Sequence, residues 1–235
     1  MKLAPQMVQV HNKSALWLKP IVLDWFQLMD EYRARVKWKR TALAKRLNWN
    51  LEDCPWWYTE RANTGLLAAA AIRRNHLALE EFNDTKYWRG GGYQGRVDLM
   101  IWRKGKPKPF AFEAKQAFID IAFEKDEMQW TWTKRTQRRI KHALRGATRN
   151  AKSLGKDYSR YGMAFFPVCL REPASGQALD QSLKWAALNI RSVGQGIWLS
   201  AYYSPRLKGR AMEKEQPRWH SRHHIGIVLV IWPCK

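Results

Sequence analysis

Asp98, Glu113 and Lys115 stand on two neighbouring segments, Arg96–Arg103 and Lys108–Lys115, joined by Lys104-Gly105-Lys106-Pro107. Alternating apolar residues on both sides of a Gly/Pro-bearing connection predict a β-hairpin. Pairing outward from that turn sets Arg103 opposite Lys108 and, further in, Asp98 opposite Glu113. Opposed residues share a face with Cβ atoms about 4.5–5.5 Å apart, and the period of two adds Lys115 to the same face. The reverse face would collect Val97, Leu99, Ile101, Phe110, Phe112 and Ala114.

Two carboxylates so close repel, and one would take up a proton unless a cation joined them. A hard divalent ion such as Mg2+, with Mn2+ as a substitute, accepts these oxygen ligands and keeps positions for water and phosphate. Lys115 would then orient or deprotonate the water, or steady charge growing on the phosphate, which suits metal-assisted phosphodiester hydrolysis. A Glu-x-Lys on a strand is by itself commonplace on a solvated face. The opposed Asp98 and the apolar reverse face set this one apart. Met100, Trp102 and Ala111, on the side of the acids, predict cover by another layer, where Asp, Glu and Lys are costly without a task.

The elements around the hairpin follow from periodicity and breakers. Thr59–Asn75 reads as a helix with Thr59 as N-cap, Glu60 in its first turn and a helix-favouring Leu66–Ile72 middle. Leu77–Phe82 reads as a short strand, or a continuation of that helix, and Asn83–Gly95 as a loop whose Gly90–Gly92 forms a mobile flap. A long helix is expected over Ala117–Leu154, then a strand at Tyr161–Leu170 and an amphipathic helix at Ser175–Val193. Strands at Gly196–Ser204 and Ile225–Trp232 enclose a basic loop with Arg206, Lys208, Arg210, Lys214, Arg218 and Arg222. Residues 1–55 read as a basic helical N-terminal region, with Val22, Phe26, Met29, Arg33 and Val36 on one face beyond Pro20, and 56–235 as the catalytic domain with a C-terminal extension. The class is α/β, a mixed central sheet flanked by helices.

Gly95-Arg96-Val97-Asp98 followed by Phe112-Glu113-Ala114-Lys115 resembles the core of the PD-(D/E)XK nuclease superfamily, the restriction-endonuclease-like fold. The resemblance covers about residues 58–170, whose helix, strand, hairpin, helix and strand follow the family's α-β-β-β-α-β order. Val97 stands where the family name has proline. The resemblance implies Asp98 and Glu113 as metal ligands, Lys115 as the catalytic lysine and the Ala114 carbonyl as a completing ligand. It also implies a third catalytic, metal-binding acid, a glutamate from the helix before the sheet, for which Glu60 fits best, with Glu80 and Glu81 as rivals. If Leu77–Phe82 is a strand, those two should face opposite ways. The blander role for Glu60 is to complement the helix dipole.

The 235 residues are 46% hydrophobic, which excludes a disordered chain. Lys and Arg number 42 against 20 Asp and Glu, a net charge of +22 that calls for a polyanionic partner, nucleic acid first and an anionic membrane second. With the hydrolytic site, the nucleic acid expected is DNA. From Lys134 to Lys156 there are nine basic and no acidic residues. Lys134, Arg135, Arg138, Arg139, Lys141, Arg145 and Arg149 are accordingly expected to follow phosphates rather than form an ordinary solvated face.

No apolar run is long enough to span a bilayer, so no membrane partner is expected. Met1–Val10 lacks the apolar stretch of a signal peptide. The three cysteines form no CxxC pair, and a cytoplasmic, nucleoid-associated protein is the simplest expectation. A homodimer is admitted, since making two cuts commonly needs two sites. Among the 14 tryptophans, Trp56, Trp57, Trp88, Trp130, Trp132 and Trp219 adjoin basic or loop segments and are candidates for stacking on bases, with core packing the commoner fate. His220, His223 and His224 sit in basic surroundings that disfavour a bound cation. A non-catalytic nucleic-acid-binding protein keeping the nuclease fold is the alternative function. The intact acid–acid–lysine set argues against it.

Overall fold

The computed structural model describes residues 6–35, 59–88, 90–124, 129–170, 176–194, 196–204 and 223–234. It is built on one mixed sheet with helices on both faces. The strands are β1 (Gln6–Val10), β2 (Leu77–Trp88), β3 (Gly91–Trp102), β4 (Phe110–Gln116), β5 (Ile119–Glu124), β6 (Gln129–Trp132), β7 (Ser159–Leu170), β8 (Leu199–Tyr203) and β9 (His223–Pro233). The helices are α1 (Leu18–Arg35), α2 (Glu60–Arg73), α3 (Lys134–Lys152) and α4 (Gly176–Val193). The order across the sheet is β1-β8-β9-β7-β4-β3-β2. β7 runs parallel to β4 and then to β5 along the same edge, and the other pairings are antiparallel.

β7 and β9 are buried on both faces, which is why Tyr161–Leu170 and Ile225–Trp232 read as nearly continuous apolar runs. Successive β7 residues alternate between two cores. Met163 and Phe165 join Trp25, Phe26 and Met29 of α1 and Leu67, Ala70 and Ala71 of α2. Ala164, Phe166 and Val168 join Ile140, Ala143 and Ala147 of α3 and Leu183, Ala186 and Ile190 of α4. Each fully buried large side chain contributes about 1.5–3 kcal/mol. No helix among the described residues is long and apolar enough to cross a membrane.

The N-terminal segment is not helical throughout. β1 adds an edge strand to the main sheet through β8, and α1 buries Leu18, Ile21, Val22, Trp25, Phe26 and Met29 in the core shared with α2. Residues 36–58, with much of the basic run and position 55, lie outside the described residues.

Two other expectations are corrected. Asn83–Gly95 is not a loop: residues up to Trp88 pair with residues from Gly91 on, and Gly90 at φ 83° makes the turn of a long hairpin. Cross-strand bonds from Asn83↔Arg96 to Trp88↔Gly91 outweigh the poor strand propensity of the glycines. The expected helix Ala117–Leu154 is helical only from Lys134. Its first part is the β5–β6 hairpin, in which Ile119 and Ile121 point inward at alternate positions. Thr133 ends that hairpin and caps α3, its side chain accepting from the Thr136 N–H at 3.1 Å.

Candidate active site

The hairpin pairs in the expected register, Leu99↔Phe112, Met100↔Ala111 and Ile101↔Phe110. The next step would bring Asp98 to Glu113, and there the backbone ladder stops. The Ala114 N–H donates instead to Asp98 Oδ2 at 2.7 Å, so a carboxylate is inserted where the strands separate. The β2–β3 ladder is interrupted at the same level. Glu80 pairs with Leu99 and Phe82 with Val97, while Glu81 between them has φ 47°. Such a break re-aims side chains. Leu99 packs toward α1 and α2, but Val97 packs with Ala111 and Leu154, so the single apolar face expected for Val97, Leu99 and Ile101 divides at Asp98.

The division also explains Glu80 and Glu81. Strand alternation would send them to opposite faces, yet both line one small cleft with Glu60, Arg61, Thr64 and Asp98. Glu81 is held by Arg61 at 2.6 Å and Arg96 at 2.9 Å. Glu80 approaches α2 at Gly65, and burial, then the charge of Glu81, raises its pKa. Glu60 opens α2 and reaches the C-terminal end of β4, with Oε1 3.5 Å from Lys115 Nζ. Burial raises the Glu60 pKa. Lys115 lowers it and Asp98 raises it, so both are near neighbours.

Lys115 is one-third exposed. Its ammonium donates to the Ala114 carbonyl at 2.7 Å, and its stem runs beside Gly146 of α3. Glu113 is 1% exposed. Burial first, and the charge of Asp98 second, push its pKa up to about 7. The structure thus brings Asp98 close to both Glu60 and Glu113, with Lys115 beside Glu60. It does not gather the three acids into one cage: among the described residues no three Asp, Glu, His or Cys side chains converge in that way. The cover expected over Met100, Trp102 and Ala111 forms at Ala111, which is buried with Val97 and Leu154, and not at Trp102, which is 46% exposed.

One site residue has no signal in the sequence. Lys86 of β2 is buried, with Nζ 2.8 Å from Glu113 Oε1. Its stem crosses β3 at Gly95, where a Cβ would stand 2.8 Å from Lys86 Cδ. At 2.8 Å the contact with Glu113 is a charge-assisted hydrogen bond, in which the Lys86 ammonium donates to Oε1. A buried carboxylate beside a second carboxylate, its oxygen already facing a cationic group, suits a hard cation. Mg2+ commonly takes only one or two carboxylates and completes its shell with water and phosphate.

On α3, Ile140, Ala143, Leu144, Ala147 and Ala151 face the core, while Lys134, Arg135, Arg138, Lys141, Arg145 and Arg149 are exposed. Arg139 turns inward, 3.6 Å from Asp120. The exposed face borders the site where α3 passes Lys115. Trp130 packs edge-on against Phe123 and Trp132 against Trp185, so both serve as packing residues. Trp56, Trp57, Trp219 and His220 lie outside the described residues, as does the basic loop 205–222. No protein-family model, curated protein or solved structure matches the chain.

Proposed function

We propose that this protein is a Mg2+-dependent nuclease that hydrolyses phosphodiester bonds of DNA. The observation that carries the reading is the convergence of Asp98, Glu113 and Lys115 where the β3–β4 ladder opens, beside the basic face of α3. The element order α2-β2-β3-β4-α3-β7, with β5–β6 as an inserted hairpin, supports a restriction-endonuclease-like core. Asp98 and Glu113, with the Ala114 carbonyl, would hold Mg2+ or Mn2+. The bound ion would polarise the phosphate and lower the pKa of a coordinated water.

The chain's own groups supply the rest. The Lys115 ammonium, tethered to the Ala114 carbonyl and exposed on one side, can orient a water or an anionic phosphate oxygen. Glu60, partly exposed at 3.5 Å, limits the swing of that ammonium. The exposed arginines of α3 hold the backbone of the substrate by its phosphates.

The test incubates the full chain with linear, circular, single-stranded and branched DNA, and with RNA, in Mg2+, Mn2+ or EDTA. Cleavage of DNA that EDTA stops, and that Lys115→Met slows on the order of a hundredfold, is the expected result. Metal-independent cleavage, or binding with no cleavage of any substrate, overturns the reading. The second outcome is that of a non-catalytic binder.

A further expectation concerns affinity. Replacing Arg138, Arg145 and Arg149 by Gln should reduce the slope of log K against log salt by about 0.9 for each phosphate that is no longer neutralised. Arg139→Gln should change it least, because Arg139 is engaged by Asp120. Filter-binding titrations between low and moderate salt check both, and an unchanged slope in the triple variant would show that DNA runs elsewhere.

A further inference from the structure

Lys86 is the least expected charge in the protein. Lysine is almost never fully buried unless paired, and a buried ion pair is often no more stabilising than an apolar pair of the same shape. Its backbone is nonetheless fixed on both sides. Lys86 pairs with Tyr93 across the hairpin and bridges Leu154 after α3, and the next N–H, of Tyr87, donates to the Ser153 carbonyl at 2.6 Å. From that anchor the side chain crosses an entire strand to reach Glu113 on β4. It crosses at Gly95, where even a methyl group would collide with its stem. The structure therefore carries a track that delivers one ammonium to one carboxylate oxygen.

That oxygen belongs to Glu113, one of the two acids assigned to the metal in the function proposed above, on which this inference rests. Lys86 both neutralises it and donates to it across 2.8 Å, so a metal ion at that oxygen and the ammonium exclude each other. Lys115 cannot take this part, because its ammonium is engaged by the Ala114 carbonyl and faces Glu60.

We propose that Lys86 is a built-in counter-ion of the site: its ammonium occupies the place beside Glu113 that a divalent cation takes, and must withdraw for the cation to bind. Metal affinity is then an exchange between a tethered monovalent cation and a free divalent one. The apparent dissociation constant is the intrinsic one divided by the fraction of molecules in which Lys86 has left the place. The site stays neutralised while empty, and the lysine sets how much free metal is needed to load it.

The experiment is a calorimetric Mn2+ titration of the full-length wild type, Lys86→Met and Lys86→Arg, without nucleic acid. Lys86→Met should bind Mn2+ about tenfold or more tightly, as expected if the place is occupied roughly nine times in ten, while Lys86→Arg stays near wild type. Unchanged or weaker binding in Lys86→Met, with wild type binding normally, overturns the counter-ion role and leaves the metal site standing. No binding in either overturns both the metal site and the inference. Binding by Lys86→Met alone supports it.

A second measurement needs no variant. Acetylation of Lys86 in the wild type, followed by mass spectrometry, should be slow without metal and rise severalfold at saturating Mn2+, relative to Lys108 as internal reference. An unchanged ratio overturns the proposal even if Lys86→Met fails to fold.

Discussion

Asp98→Asn is expected to slow DNA cleavage by about a thousandfold or more while leaving the fold and DNA binding in place. The substitution separates two jobs that Asp98 performs. One is structural: its Oδ2 accepts from the Ala114 N–H at 2.7 Å where the β3–β4 ladder opens. An asparagine carbonyl oxygen can accept the same bond, and it occupies the same volume. The other job is electrostatic. Asp98 is the charge that, after burial, does most to raise the pKa of Glu113, and it also raises that of Glu60. It is therefore the acid common to both neighbours, and neutralising it removes half of the negative charge available to a divalent ion at the Asp98–Glu113 pair. Metal ions contribute several kcal/mol of charge stabilisation in such reactions, and about 4 kcal/mol corresponds to about a thousandfold in rate. The measurement is single-turnover cleavage in Mg2+, with circular dichroism and a binding isotherm as controls. Wild-type rates in a folded variant would remove Asp98 from the chemistry. Equal loss of binding and cleavage would make it a structural residue.

The alignment of Asp98 with Glu113 is legible in the sequence because a hairpin register is set locally. The turn at Lys104–Pro107 and the alternation on each side of it suffice to bring the two acids to the same level of the hairpin, one step beyond its last backbone pair. The placement of Glu60 likewise needs only a helix start at Thr59 and a strand that follows.

What is not legible is everything that depends on side chains crossing strands or on broken alternation. Lys86 lies in a stretch whose glycines resemble a loop, and its role exists only because β2 folds back over β3 and Gly95 lets the stem pass. Glu81 leaves the strand pattern at φ 47°, which no residue preference of glutamate suggests, and so Glu80 and Glu81 come to share a cleft. The β5–β6 hairpin is hidden for a different reason. Its inward Ile119 and Ile121 form too short an alternation to outweigh the helical pattern of α3 directly after it. The edge strand β1 has five half-buried residues, and only its pairing with β8 defines it.

Glu113 should also leave a signature in stability. Its carboxyl is 1% exposed and has a pKa of about 7, against an ordinary value of 4.5, with burial as the main cause and the charge of Asp98 next. Between those two values the folded protein holds the proton more tightly than the unfolded chain. The resulting stabilisation is complete below about pH 4.5 and is lost as pH rises through 7. At 1.36 kcal/mol per pH unit, the span amounts to about 3 kcal/mol.

Glu113→Gln cannot ionise and so escapes that loss. It leaves Lys86 without its anion at either pH, a penalty that cancels when the variant is compared with wild type at two pH values. Relative to wild type, the variant should gain about 3 kcal/mol between pH 4.5 and pH 8 in EDTA. For a chain of this size that is a shift of roughly 6–12 °C in the difference between melting temperatures.

Adding Mg2+ at pH 8 should return most of the lost stability to the wild type, since a ligand at a hundred times its dissociation constant stabilises by about 2.7 kcal/mol. It should do far less for Glu113→Gln. Thermal melts of both proteins at the two pH values, with and without Mg2+, check each arm. A wild-type-to-variant difference that is the same at pH 4.5 and pH 8 would mean that Glu113 is ionised throughout, held by Lys86 alone. A Mg2+ effect of equal size in both proteins would place the ion away from Glu113.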